Sequence, residues 1–243
     1  MQTSNNTILI TGGASGIGLA LTEQFALSNK VIICGRREEM LLAAKKRVPG
    51  IETRVCDLAS EQERKELTRW ATKSFPDLNI LINNAGIQQE VDIAKLEDIR
   101  KVREEVEINF VAPVHLSALL ISHLKTKSLS AIINISSGLA FTPLASVPIY
   151  CATKAALHSL SLSLRYQLSK TNVKVFEIPP PIVDTELDKG RRGTQPRSHG
   201  GITTEEFATQ AVEALRNDIY EAAIGFAANL RSKREEMFGM LNH

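Results

Sequence analysis

The chain has 243 residues, 43% of them apolar and 23% charged, which suits one α/β domain with a full core and is short for two. The formal net charge of +2 gives no electrostatic case for a nucleic-acid or membrane partner, and no apolar run reads as long enough to span a bilayer. The three cysteines, Cys34, Cys56 and Cys151, lack metal-ligand spacing and read as buried reduced thiols. With a polar start, Met1 to Asn6, they lead to the expectation of a cytoplasmic protein without a metal site.

A first strand is expected at 7–11. It runs into Thr11-Gly12-Gly13-Ala14-Ser15-Gly16-Ile17-Gly18 and then a helical pattern at 16–28. Further strands are expected at 30–34, 52–56, 79–83, 130–136 and 173–178, with helices near 38–47, 60–74, 96–124 and 149–169. The strands are rich in Ile and Val without clean alternation, the pattern of a parallel sheet covered on both faces. The β-α-β-α rhythm predicts a doubly wound parallel sheet flanked by helices. A weaker strand is expected at 221–225, with helices near 204–216 and 227–240. Residues 184–203 break the rhythm with glycines and many charges, and read as a substrate lid within a domain spanning 1–243.

The glycine turn allows close backbone approach to a pyrophosphate, and the helix opening at Gly16 offers free N–H groups to that anion. At the end of the second strand an acidic residue would favour NAD. Gly35-Arg36-Arg37 stands there instead. A guanidinium suits a 2′-phosphate, so NADP(H) is expected, with NAD(H) as the alternative, Arg36 as the main contact and Ser15 or Arg37 assisting.

Tyr150 and Lys154 are four residues apart, with Ser137 thirteen residues upstream of the tyrosine. On a helix the pair lies one turn apart on one face. A free phenol titrates near about 10, and a fixed cation beside it lowers that value. Such a tyrosine can give a proton to a carbonyl oxygen or take one from an alcohol.

With Thr11-Gly12-x-x-x-Gly16-Ile17-Gly18, Cys56-Asp57-Leu58, Asn83-Asn84-Ala85-Gly86, Asn109 in Glu107-Ile108-Asn109-Phe110, and Ser137 with Tyr150-x-x-x-Lys154, the chain resembles the short-chain dehydrogenase/reductase family over nearly its whole length. The resemblance implies a Rossmann-type fold. It also implies that Asp57 and the backbone of Leu58 hold adenine, and that Asn84, Ala85 and Gly86 border its ribose and stabilise the central strand. Asn109 would interrupt its helix and hold a water leading to Lys154. Ser137, rather than its neighbour Ser136, would hydrogen-bond the substrate oxygen. Tyr150 would transfer the proton, and Lys154 would also bind the nicotinamide ribose. The family's Pro-Gly after the sixth strand is replaced by Pro179-Pro180-Pro181-Ile182-Val183-Asp184-Thr185. Proline there loses glycine's freedom and a donor, and a cis bond is open to it. Ile182 N–H and Thr185 remain as carboxamide contacts. Segments around Ser137, Tyr150 and Pro180 resemble more closely one subgroup of the family, a match that brings no substrate with it.

The resemblance implies a small-molecule carbonyl or alcohol substrate and a homodimer or homotetramer formed through the helices at 96–124 and 149–169. A redox-sensing NADP-binding regulator is the rival reading, and the complete Asn109–Ser137–Tyr150–Lys154 set weighs against it. His115, His123 and His158 have no carboxylate at motif spacing and read as ordinary helix positions. His199 reads as a solvated lid residue. Trp70 reads as packing, and the segment 230–240 as either a partner surface or a helix packed on its own domain.

Overall fold

The computed structural model describes residues 1–185, 187 and 201–242. Six segments, all but the third Ile- or Val-rich, form its sheet: β1 (Thr7–Thr11), β2 (Lys30–Gly35), β3 (Glu52–Val55), β4 (Leu78–Asn83), β5 (Ser130–Ile135) and β6 (Val173–Ile178). All pairings are parallel, in the order β3-β2-β1-β4-β5-β6. The chain winds outward from β1 through β2 and β3, then returns to lay β4 on the other side of β1. That reversal opens a crevice at the carboxyl ends of β1 and β4, where doubly wound Rossmann-type sheets bind ligands. The glycine turn after β1 and the Asn84–Gly86 turn after β4 both fall there.

Side chains alternate across each strand. Ile8, Ile10, Ile33, Ile80, Ile82 and Ile133 face one core. It is closed by α1 (Gly16–Ala26), α2 (Glu38–Arg47) and α7 (Thr204–Arg216), through Leu21, Phe25, Leu41, Phe207 and Leu215. Leu9, Ile32, Leu81 and Ile132 face the other. There α3 (Glu61–Ser74), α5 (Ala112–Leu124) and α6 (Pro148–Gln167) supply Leu67, Leu116, Leu120, Leu124 and Leu164. Burial on both faces explains the absence of polar alternation in every strand but β3, an edge strand that is half-buried to exposed.

The expected helix at 96–124 divides. Asp98 Oδ1 accepts from Arg100 N at 2.9 Å, and α4 (Arg100–Val106) begins there. A π turn, Glu107–Val111, separates α4 from α5. Pro113 has no N–H for the carbonyl of Asn109, four residues back, and its ring crowds that carbonyl. The helix loosens accordingly, and Ala112 N reaches Glu107 O five residues back. The whole stretch Arg100–Leu124 is long and apolar enough to cross a bilayer by length and composition, contrary to the sequence reading. Its apolar stripe, Ala112, Leu116, Leu120 and Leu124, is buried against the sheet.

The expected strand at 221–225 does not form. Tyr220 O and Ala222 N bond Glu177, and Ile224 N bonds Pro179 O at 3.1 Å, yet only the Glu177–Glu221 bridge results. Continuing the ladder needs an N–H from residue 179, which proline lacks. The expected helix at 227–240 breaks into α8 (Phe226–Lys233), a 3₁₀ turn (Arg234–Met237) and α9 (Phe238–Asn242), with Arg234 at φ 50°. The segment packs on its own chain. Thr142 Oγ1 donates to Leu230 O and Arg234 O, and Asn242 bonds Ala145 N and Pro143 O. The expected lid lies mostly outside the described residues. Its ends are joined, Val183 bridging Ile202 and Asp184 N bonding Ile202 O at 3.2 Å. No cis peptide bond occurs among the described residues.

Leu120 is fully buried and Leu27 is 82% exposed. Leu120→Ala is expected to cost about 2–5 kcal/mol by denaturant unfolding, and Leu27→Ala no more than about 0.5 kcal/mol.

Candidate active site

The glycine turn is fixed by close backbone contacts. Gly12 and Gly16 have φ of 65° and 52°, a region that side chains rarely adopt. A Cβ on Gly18 would lie 2.1 Å from Gly12 O and 2.5 Å from Asn84 Nδ2. Asn84 Nδ2 donates to Thr11 O at 2.9 Å and Gly12 O at 3.3 Å, locking the β4 turn to the glycine turn. The N-cap of α1, Ser15, makes no side-chain cap and no acid follows in the first turn. The helix end therefore keeps its N–H groups and positive dipole end for an anion.

A cavity of about 380 Å³ runs along the crevice. At one end Gly12, Ser15, Gly16, Ile17 and Gly18 line it, with Arg36 and Arg37 beyond them. Asp57 and Leu58, then Asn84, Ala85 and Gly86, form the next wall; Tyr150, Lys154 and Thr185 line it too. Asn109, Ser137 and Ile182 are not among its lining residues. Arg36 Nη1 pairs with Glu104 Oε1 at 3.0 Å, both groups partly exposed. Asp57 Oδ1 accepts from Ala59 N at 3.0 Å. Thr185 sits over the glycine turn, its Cγ2 3.2 Å from where a Gly16 Cβ would be. Ile182 O accepts from Ile202 N at 3.1 Å. In place of the family's glycine, Pro181 packs 3.5 Å from where a Gly225 Cβ would be, and Gly225 takes φ 55°.

Tyr150 and Lys154 lie one turn apart on α6, 6% and 4% exposed. Lys154 Nζ stands 5.6 Å from the centre of the Tyr150 ring and donates to Ile135 O at 2.9 Å. Burial pulls the ammonium down to about 8, opposed by the carboxyl groups of Glu177 and Glu105. Asn109 is fully buried in the π turn. Its Oδ1 accepts from Ile87 N and its Nδ2 donates to Ile87 O, both at 2.8 Å, with a further bond to Thr153 Oγ1 at 3.2 Å. Ser137 Oγ accepts from Leu139 N at 3.1 Å, which leaves its proton to donate. Ser136 donates to Glu177 Oε1 at 2.6 Å, so the hydroxyl that lines the cavity from position 136 is already committed.

Several groups here escaped the sequence reading. His158 does have a carboxyl partner: its Nδ1 lies 2.8 Å from Glu177 Oε2. Glu177 is fully buried. The partner comes from β6, not from the helix, so local spacing did not reveal it. The bond to Glu177 raises the His158 pKa, against burial. His158, Glu177 and Glu221 bring ligand atoms within 4.8 Å of one another. Each is already engaged, Glu221 by Arg231 and Glu177 by Ser136 and His158. Arg64, 2% exposed, bonds Leu58 O and Glu107 Oε1, tying the Asp57–Leu58 wall of the cavity to the π turn. His115 Nδ1 accepts from Arg64 Nε at 3.0 Å, and His123 Nε2 lies 2.9 Å from Leu78 O. Trp70 packs edge-on against Phe75 at 5.4 Å. All three cysteines are buried thiols; burial pushes Cys34 and Cys56 up, Cys56 to about 12. His199 lies outside the described residues.

The family model described as short chain dehydrogenase matches residues 6–196. The chain belongs to that family and is an oxidoreductase. It is 46% identical, over all of its own length and 98% of the relative's, to the uncharacterized oxidoreductase DltE of Bacillus subtilis strain 168. A short-chain dehydrogenase from Burkholderia cenocepacia, solved with NADP, superposes with TM-score 0.83 at 25% identity, covering 96% of this chain and 94% of that one. A Burkholderia phymatum short-chain dehydrogenase/reductase, solved with NAD, gives 0.87 at 20% identity, covering 100% and 97%; at that identity it speaks for the fold alone.

A His158 pKa raised by folding contributes stability that is full below about 6.5 and is lost as pH rises through the raised folded value. His158→Ala is therefore expected to lower Tm more at pH 6 than at pH 9. An equal loss at both would contradict a stabilising charge on His158.

Proposed function

We propose that the protein is an NADP(H)-preferring reductase or dehydrogenase that interconverts a small-molecule carbonyl compound and its alcohol. The observation that carries this is the buried Tyr150–Lys154 pair lining the same cavity as the uncapped glycine-turn helix. The fit to a dinucleotide is physical. Free N–H groups suit a pyrophosphate, and Arg36 and Arg37 suit a 2′-phosphate. One solved relative carries NADP and another NAD, so the preference rests on the arginines. Nothing favours a regulator without turnover.

When bound, NADP(H) supplies or accepts the hydride. The chain supplies position and protons. Gly12, Ser15, Gly16, Ile17 and Gly18 hold the pyrophosphate, Asp57 and Leu58 the adenine, and Asn84, Ala85 and Gly86 its ribose side. Ile182 and Thr185 hold the carboxamide. Lys154 binds the nicotinamide ribose and keeps the Tyr150 phenol acidic. Tyr150 gives its proton to the carbonyl oxygen in reduction and takes it from the alcohol in oxidation. The Ser137 hydroxyl donates to that oxygen as negative charge develops. Asn109 keeps the π turn open beside Lys154, with its carbonyl released by Pro113 for a water. Exposed Val114, Leu162 and Tyr166 on α5 and α6 fit a homodimer or homotetramer, and the chain's cysteine usage fits a cytoplasmic setting.

Tyr150→Phe is expected to lower turnover in an NADPH-absorbance screen of carbonyl compounds by about 10²–10⁴-fold, with NADPH still bound. Near-wild-type turnover by that variant would refute the role. Lys154→Ala is expected to lose both rate and cofactor affinity. In paired titrations NADPH should bind more tightly than NADH, and Arg36→Ala should cut that preference about 10- to 100-fold. Equal or tighter binding of NADH by the unmodified protein would contradict the cofactor assignment.

A further inference from the structure

Glu105 is fully buried on α4, one helical turn before Asn109. Its Oε1 accepts from Gln89 N at 3.2 Å, while its Oε2 is buried without any hydrogen-bond partner. A carboxyl group left half-satisfied in the core is costly. Its neighbourhood reaches the active site: α4 packs against α6, the helix that carries Tyr150 and Lys154, and Gln89, which Glu105 holds, is three residues past Gly86, where an added Cβ would meet both Asn109 Oδ1 at 3.3 Å and Lys154 Nζ at 3.6 Å.

We infer that Glu105 is a positioning residue for the reaction: its buried carboxylate acts on Lys154 from the α4 side and sets the pH range over which the Tyr150–Lys154 pair keeps its protons. The inference rests on the proposed role of that pair. Burial raises Glu105 to about 7, and the charge that opposes this is Lys154. The coupling is reciprocal, since Glu105 also favours the Lys154 cation. α6, packed against α4, carries Tyr150, Cys151, Lys154, His158 and Arg165 as its buried or half-buried titratable groups. On its own helix Lys101 is exposed and Glu104 pairs with Arg36; in the loop after β4, Glu90 is exposed. Glu177 acts on Lys154 from β6, but its two oxygens already have Ser136 and His158. Glu105 is the carboxyl group with an uncommitted oxygen.

A negative charge nearby disfavours proton loss from every group it touches. Removing it moves the pair's titration to lower pH, whichever member loses its proton first. Glu105→Gln keeps the shape and the acceptor for Gln89 N–H and deletes the charge. NADPH affinity, followed by nicotinamide fluorescence on the full chain, is expected to decline on the alkaline side at a pH about 0.5–1 unit lower than in the unmodified protein. The alkaline limb of NADPH oxidation with an active carbonyl substrate should move the same way. A decline that stays in place, or moves to higher pH, overturns the inference. Should Glu105→Gln not fold, infrared titration of the unmodified protein decides. A buried protonated carboxyl band at about pH 6 that is lost by about pH 8.5 supports the inference, and its absence overturns it. The binding titration judges Glu105 alone. The Tyr150 reading fails separately, through turnover by Tyr150→Phe.

Discussion

An ammonium taken out of water is the constraint around which the site is organised. Lys154 is 4% exposed, and a buried cation is tolerated only when paired and hydrogen-bonded. The fold provides a carbonyl at the end of β5, Ile135 O at 2.9 Å, and two carboxyl groups whose charge favours the cation, Glu177 on β6 and Glu105 on α4. Desolvation still lowers the ammonium to about 8. The phenol of Tyr150 shares that environment.

Delivering this arrangement takes several distant parts of the sequence. Parallel pairing lays β5 beside β4 and β6 beside β5, so Ile135 and Ser136 end at the crevice with the glycine turn and Glu177 reaches Ser136 from β6. Pro113 breaks one helical bond and opens the π turn, which lets Asn109 bind the Ile87 backbone with both ends of its amide. Pro179 likewise ends a potential seventh strand and leaves Pro180 O to accept from Gly138 N at 2.9 Å, securing the residue after Ser137. The proline run that departs from the family pattern thus supports the serine turn.

The sheet was legible because strands buried on both faces must be apolar throughout, and Gly, Asn and Arg mark their ends. Their observed bounds differ from the expected ones by at most one residue. The Tyr150–Lys154 pair was legible because helical spacing alone places the two residues together. What stayed hidden depends on contacts across the fold. Glu105 sits in a charged run, Arg103-Glu104-Glu105, and only the packing of α4 against α6 and the turn after β4 decides which of those charges is buried. In hindsight its place four residues before Asn109, on the stripe continued by Leu116 and Leu120, was the available signal. His158 gave none, because its partner is a β6 residue nineteen positions away. The strand at 221–225 failed for a reason located at Pro179, and the division of 96–124 required weighing one proline against an otherwise helical run.

The central claim is that the Tyr150 hydroxyl and the Lys154 ammonium meet a bound dinucleotide at the reacting end of the crevice. A crystal structure of the full chain soaked with NADPH tests it directly. The account predicts the pyrophosphate on the Gly12–Gly18 turn, the nicotinamide ribose on Lys154, and the Tyr150 hydroxyl facing open space beside nicotinamide C4 where a substrate oxygen fits. A nicotinamide ring directed away from α6, or a Tyr150 hydroxyl sealed from it by protein, would contradict the account.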